Sequence, residues 1–232
     1  MSGGQTRLKG ALRVARGDRG TLMKIDRAGW PLIVAAVLPA ALFAVLGRPG
    51  LSLPFVVLGG LFAFFFRDPD RQVARRPGAV LAPADGRVLV AGEAVPGVAP
   101  PGDWRQISIF LSPLDVHVNR VPISGRITRI EYRPGRFLPA YAAGAATLNE
   151  RNELWIEQDG ERIVCRQVTG VLVRRVVCRL REGTEVEAGE RFGIMKFGSR
   201  IDLFLPRRTA LLSRVGDRVR AGETVVATLS PS

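Results

Sequence analysis

The most reactive arrangement in this 232-residue chain is Gly198-Ser199, set inside the otherwise apolar, strand-like segment GIMKFGSRIDLFLP (193–206). A serine that follows a glycine can attack the carbonyl before it, because glycine has no side chain to block the approach. The attack converts the peptide to an ester, and β-elimination then cuts the chain. A pyruvoyl group, an electrophilic ketone, remains on the new N-terminus. That chemistry needs backbone strain and a nearby proton acceptor for the hydroxyl. Elsewhere a Gly-Ser pair is simply a turn between strands; within an apolar run a turn dipeptide has less reason to occur.

Two residues stand out for the proton work. Asp85 lies in APADGRV (82–88), where an Asp-Gly turn is the plain alternative. His117 lies in SPLDVHVNRVP (112–122) and is the only histidine, hence the only side chain that titrates unperturbed near neutral pH. Asp115, Asn119 and Arg120 make its flanks polar for a strand interior. With one His and two Cys, a metal site of several His and Cys is excluded, and so is a disulfide-stapled fold. Cys165 and Cys178 read as buried, reduced thiols. Met195-Lys196 invites a biotin-carrier reading, but Lys196 follows the Gly189 turn by only seven residues and no Glu-Ala precedes the Met.

These residues must be held by a body that begins near Ala79. Short runs rich in Val, Ile and Thr alternate with Gly and Pro: GRVLVAG (86–92), QISIFL (106–111), GRITRIEY (125–132), ELWIEQ (153–158), ERIVCRQV (161–168) and GVLVRRVVCRL (170–180). Alternation of apolar and polar residues predicts half-buried strands, and Asp159-Gly160 predicts a tight hairpin. A short helix is expected around Tyr141–Asn149. GTEVEAGE (183–190) matches GDRVRAGE (216–223) at Gly, Val, Ala, Gly and Glu, a V-x-x-G-E turn of the kind found in lipoyl and biotinyl domains. The expected fold is mainly β, a sandwich or barrel with such hybrid-motif repeats, assembled from related halves.

Ahead of the body lie two uncharged runs, Trp30–Leu46 and Leu51–Phe66, joined by Gly47-Arg48-Pro49-Gly50, with Pro39 placed to kink the first. Each is slightly short of the ~20 residues that cross a bilayer core. A cleaved signal peptide fits poorly, since the basic region is long and a second apolar run follows directly. A buried helix pair of a soluble protein is the alternative. Basic residues at both outer ends favour a membrane hairpin with its flanks in the cytoplasm. The net charge of +13 rests on 34 Lys and Arg, and the arm 1–27 alone holds seven basic residues against two acidic ones. Without interleaved aromatics, and next to apolar runs, that arm fits anionic lipid and not nucleic acid. The organisation expected is a basic arm (1–27), an apolar hairpin (28–67) and a β-rich catalytic domain (68–232).

FFFRDPDR (64–71), APADGRV (82–88), SPLDVHVNRVP (112–122) and KFGSRIDLFLP (196–206) together resemble the phosphatidylserine decarboxylases, in the order and spacing of the short bacterial and archaeal branch. The resemblance runs from the hairpin to the C-terminus. It implies a proenzyme that cleaves itself between Gly198 and Ser199 into a β chain (1–198) and an α chain (199–232) that begins with the pyruvoyl group. No metal or pyridoxal phosphate is implied. The lipid's serine amine would condense with the ketone as a Schiff base, carbon dioxide would leave, and phosphatidylethanolamine would follow. Asp85 carries over as a self-processing residue. His117 carries over either as the processing base or as the proton donor of decarboxylation. Arg120 or Arg200 would pair with the substrate carboxylate or phosphate. Two positions depart from the longer branch: its LGST motif reads FGSR here, and its second histidine is Arg120. The implied partners are anionic phospholipid and the membrane surface, with the two chains of one precursor joined; a homo-oligomer is compatible. The implied location is the cytoplasmic face of the cell membrane. Two rivals remain: a decarboxylase of the same chemistry for another amino-acid headgroup or a soluble amino acid, and a membrane-anchored, non-enzymatic lipoyl-like module.

Overall fold

The computed structural model describes residues 24–142, 144–171, 176–196 and 199–229. Most of the basic arm, and Gly198 of the expected cleavage pair, therefore lie outside the described residues.

Two helices, α1 (Trp30–Val45) and α2 (Pro49–Phe65), pack on each other as a hairpin. Ser52 Oγ donates to the Ala40 carbonyl at 2.7 Å, and the Phe43 and Phe55 rings stack at 5.8 Å. The apolar helical stretch Arg27–Val45 is long enough to cross a membrane, and the helix runs on through Pro39. Outward-facing side chains are apolar: Leu38, Leu42, Val45, Leu53, Val56 and Leu61 are all more than half exposed. A soluble helix pair would bury one such stripe and show water a polar face. This one shows no polar face among its exposed residues, which is compatible with membrane association.

The strands are β1 (Lys24–Ile25), β2 (Arg67–Asp68), β3 (Ala79–Leu81), β4 (Gly86–Glu93), β5 (Trp104–Leu111), β6 (Val118–Arg120) and β7 (Gly125–Arg133). They continue as β8 (Arg151–Gln158), β9 (Glu161–Val168), β10 (Val176–Cys178), β11 (Glu185–Val186) and β12 (Arg191–Met195). Last come β13 (Ser199–Pro206), β14 (Ala210–Leu211), β15 (Arg218–Val219) and β16 (Val225–Thr228). Eight of them form one antiparallel sheet in the order β11-β7-β8-β9-β13-β5-β4-β15. Two three-stranded sheets, β10-β12-β6 and β14-β16-β3, complete the body around one core. The expected mainly β fold is what forms. The β8–β9 hairpin turns on Asp159 (φ 50°) and Gly160 (φ 78°), and the short helix is α3 (Ala145–Leu148). Of the 170–180 run, Val176–Cys178 is the strand among the described residues.

The body is two copies of one β unit. Gly86 and Gly125 open β4 and β7 with φ of 153° and 151°. Gly216 donates to the Val88 carbonyl and Gly183 to that of Ile127; Gly222 donates to Ala82 and Gly189 to Val121. The β16–β3 and β12–β6 ladders each slip register at one matching place, between Val225 and Ala227 and between Arg191 and Gly193. Thus APADGRV in the first copy stands where VPISGRI (121–127) stands in the second. The V-x-x-G-E turns are the clamps that close each copy.

Candidate active site

Ser199 begins β13 opposite Leu111, the last residue of β5. By the two-residue period of a strand, Ser199 shares the face of Ile201, Leu203 and Leu205, all in the main core cluster. It is fully buried, and its Oγ has no hydrogen-bond partner. The segment GIMKFGSRIDLFLP is not one strand: β12 ends at Met195 in a three-stranded sheet, and β13 starts at Ser199 in the eight-stranded one. The expected cleavage position therefore falls between a strand of one sheet and a strand of another.

His117 lies on the neighbouring segment, just before β6. Its carbonyl accepts from the Met195 N–H at 3.3 Å, while Leu111 pairs with Ser199. His117 Nδ1 lies 2.9 Å from the Asp115 carbonyl, which can only accept, so the proton is on Nδ1. Nε2 then carries a lone pair, is buried, and has no partner. Burial pushes the imidazole down to about 4, chiefly by desolvation, and the nearby Arg67 cation adds to this, while Asp115 opposes. The imidazole therefore does not keep the unperturbed titration near neutral pH expected from sequence. The ring is neutral at pH 7, and burial makes it a weaker base than a free imidazole.

Phe65, the last residue of α2, places its ring 4.1 Å from the His117 ring, and Phe66 beside it is fully buried. The base of the apolar hairpin is thus one wall of the His117 pocket.

Asp85 lies at the same end of the sheet. The residue after it, Gly86, falls in the row that continues through Leu111 to Ser199, two strand spacings of ~4.8 Å from the serine. Its carboxylate accepts from Arg71 Nη2 at 2.7 Å and from the Ala221 N–H at 2.8 Å. Arg71 also reaches Glu223 at 3.2 Å. The structure thus gathers Asp85, His117 and Ser199 at one end of the sheet, without hydrogen bonds joining them.

Arg120 and Arg200 are both buried and engaged. Arg120 donates to the Gly189 carbonyl, to Asp68 and to the Pro69 carbonyl at 3.0–3.2 Å. It ties the FRDPDR segment to the first V-x-x-G-E turn. Arg200 donates to Asp202 at 2.6 Å and Ser108 at 2.9 Å, on the sheet face opposite Ser199. Neither guanidinium points to Ser199 through a hydrogen bond. Sequence reading took Arg67 and Arg71 only as part of the basic flank of the hairpin. Both lie in the electrostatic neighbourhood of Asp85. It assigned no role to Gln167 or Asn119, whose partners come from distant strands.

Among the described residues no three His, Cys, Asp or Glu side chains converge as metal ligands would. A pyruvoyl group would arise from Ser199 itself, and the surroundings fit it. Ser199 Oγ and His117 Nε2 are both buried atoms that can form hydrogen bonds and make none.

Comparison with known proteins decides the family. The phosphatidylserine decarboxylase family model matches residues 58–227. The chain belongs to the phosphatidylserine decarboxylase family. It is 41% identical to a phosphatidylserine decarboxylase proenzyme of Nitrosomonas europaea over 204 residues, covering 88% of this chain and 94% of that protein. It is 47% identical to one from Granulibacter bethesdensis over 173 residues, 72% of this chain and 70% of the other. Phosphatidylserine decarboxylase membership sets aside the non-enzymatic lipoyl-like module.

Proposed function

We propose that the chain is a proenzyme that cuts itself between Gly198 and Ser199, and that the joined products decarboxylate phosphatidylserine to phosphatidylethanolamine at the cytoplasmic face of a membrane. The observation that carries the reading is the buried, unpartnered Ser199 Oγ at a change of sheets, beside a neutral His117 with a free Nε2.

In self-cleavage the base must hold a free lone pair. His117 Nε2 has one, with the Asp115 carbonyl fixing the tautomer and the Phe65 ring stacked against the imidazole. Asp85 contributes negative charge near the site, held in place by Arg71 and the Ala221 N–H. Arg120 and Arg200 are proposed as positioning residues, since their guanidinium groups hold strands and turns together. A pyruvoyl group supplies the electron sink for the pair left when carbon dioxide departs. The chain's own residues exclude water: Phe65, Phe66, Val116, Val118 and Ile194 form a closed apolar cluster next to His117. The hairpin that ends in Phe65 brings that cluster to the lipid headgroup layer.

Intact mass and denaturing electrophoresis of the purified protein test this. Two chains are expected, the smaller made of residues 199–232 with no free N-terminal amine, and vesicles containing phosphatidylserine should release carbon dioxide. Ser199→Ala should remain one chain. A single uncut chain in protein that still releases carbon dioxide would overturn the reading. Release from free serine but not from lipid would assign the activity to a soluble substrate instead.

A further inference from the structure

We infer that the loop rim at the Ser199 end of the eight-stranded sheet docks on an anionic lipid surface, as a second membrane contact beside the helix hairpin; this rests on the membrane reading of that hairpin. The row Arg133, Arg151, Val168 and Arg200 marks this end of β7, β8, β9 and β13, and Leu111, opposite Ser199, marks it on β5. Segments 82–85, 112–117, 134–150 and 169–171 enter or leave the sheet here.

Two hydrogen-bonded turns at this end carry large apolar side chains on their corners. The Asp115 N–H donates to the Ser112 carbonyl at 3.0 Å, which puts Pro113 and Leu114 at the corner, and Leu114 is 72% exposed. The Ala142 N–H donates to the Pro139 carbonyl at 2.8 Å, and Tyr141 at that corner is 68% exposed. Asn149 keeps the second loop at this end, because its Nδ2 donates to the carbonyls of Leu138 and Thr169. Phe137 and Val171, in the same segments, are also exposed. Turn corners ordinarily hold Gly, Pro, Asn, Asp or Ser. The opposite end has no large apolar side chain at its corners: turns 95–98, 158–161 and 206–209 carry Pro96-Gly97, Asp159-Gly160 and Arg207-Arg208. A lone exposed apolar residue needs no explanation, but here the difference follows the two ends of one sheet.

Charge follows the same division. Arg87, Arg133 and Arg136 are exposed at the Ser199 end, whereas Asp85, Asp115 and Glu150, the carboxylates of its described segments, are not. Asp85 accepts from the Ala221 N–H, Asp115 from the Ser112 N–H and Glu150 from the Val176 N–H. At the other end Glu93, Asp103 and Asp159 are exposed. An anionic bilayer attracts arginine and repels carboxylate, and tyrosine favours the headgroup level. The hairpin decides which surface is within reach. Arg67, two residues beyond α2, places its guanidinium 4.0 Å from the centre of the Phe64 ring and donates to the Leu114 carbonyl at 2.6 Å. Leu114 therefore stands beside the point where the hairpin joins the body. Helices held in a bilayer bring this rim to the surface of that bilayer.

The test places one added tryptophan at a time in the full-length protein, held in nanodiscs of phosphatidylcholine and phosphatidylglycerol. Phosphatidylglycerol supplies the anionic headgroup without a serine amine, so the result does not depend on turnover. Trp30, Trp104 and Trp155 are common to all variants, and each variant is compared with the parent. Leu114→Trp and Tyr141→Trp should gain emission that is quenched by lipids brominated near the top of their acyl chains. That quenching should be several-fold stronger than for Val95→Trp at the opposite end. Omitting phosphatidylglycerol, or adding Arg133→Gln and Arg136→Gln, should weaken it at position 141; insensitivity to both would overturn the assignment to an anionic surface. Equal quenching at 95 and 141, or none at 114 and 141 in chains that co-elute with the discs, would overturn the docking itself. Unquenched, blue-shifted emission from a chain that sediments as a dimer would overturn it too, by assigning the rim to a contact between copies. Failure of the parent chain to enter the discs would instead remove the membrane reading of the hairpin, and the proposal with it.

Discussion

The two β units share a backbone and differ in what they bury. In the first, β3 carries Ala79, Val80 and Leu81, and Asp85 precedes the glycine that opens β4. In the second, β6 carries Val118, Asn119 and Arg120, and Ser124 takes the place of Asp85. The contact common to both units is structural. Asp85 accepts from the Ala221 N–H at 2.8 Å, and Ser124 Oγ accepts from the Ala188 N–H at 3.0 Å. In each copy an oxygen on that side chain caps the V-x-x-G-E turn. What the comparison isolates is the excess: a carboxylate charge and its Arg71 partner in one copy, and a histidine and a buried amide in the other. Duplication supplies the scaffold, and divergence at matching positions marks the site.

The sharpest way to break the comparison is at the paired glycines. A Cβ on Gly86 would run into the Phe110 carbonyl and one on Gly125 into the Glu157 carbonyl, both at φ near 150°. Gly86→Ala and Gly125→Ala should each cost about 4 kcal/mol or prevent folding, measured by urea unfolding of the uncut Ser199→Ala protein. If one alone is tolerated, the two units are not equivalent.

Next in size is the acid sensitivity that the buried His117 confers. An unfolded histidine binds its proton near 6.5, whereas folded His117 does so only near 4. Between those values the unfolded state holds more protons, so stability falls as pH drops from about 6.5 and the loss levels off below about 4. The whole effect is about 3 kcal/mol. His117→Gln should flatten that window in pH-dependent unfolding of the uncut chain; an unchanged slope would place the acid response elsewhere.

Arg71 gives a smaller effect. It sits between Asp85 and Glu223, at 2.7 and 3.2 Å, with its side chain 8% exposed. Arg71→Met leaves two carboxylates facing one another and should cost about 2 kcal/mol at pH 7. Urea unfolding of the uncut Ser199→Ala chain with and without the substitution measures it.

Much of this architecture was legible in the residues, for physical reasons that differ by element. The strands were readable because a half-buried ladder alternates and because Asp159-Gly160 fits only a tight turn. The helix pair was readable because two uncharged runs are joined by a short Gly-Arg-Pro-Gly break. The duplication was visible only in its clamps, since APADGRV and VPISGRI share just Pro, Gly and Arg. The break between β12 and β13 was hidden, because an apolar run looks alike whether it stays in one sheet or crosses to another. His117 could be singled out but not its protonation state, which depends on burial beneath Phe65. Asn119 and Gln167 lie 48 residues apart and meet only in the fold.

The smallest stability effect is the most informative about the site. Asp85→Ser installs the second unit's residue in the first: it keeps an oxygen for the Ala221 N–H, and Arg71 retains Glu223. The cost should stay below about 1 kcal/mol, close to that of Ser124→Ala, which removes the cap from the other turn. If Asp85 serves only as a turn cap, Asp85→Ser should also leave self-cleavage at the parental rate. If its charge acts at Ser199, the same substitution should slow cleavage by ten-fold or more while unfolding barely moves. The two copies thus serve as controls for one another. Capping is the role they share, so a cleavage defect in Asp85→Ser, absent from Ser124→Ala, can come only from the charge that one of them has.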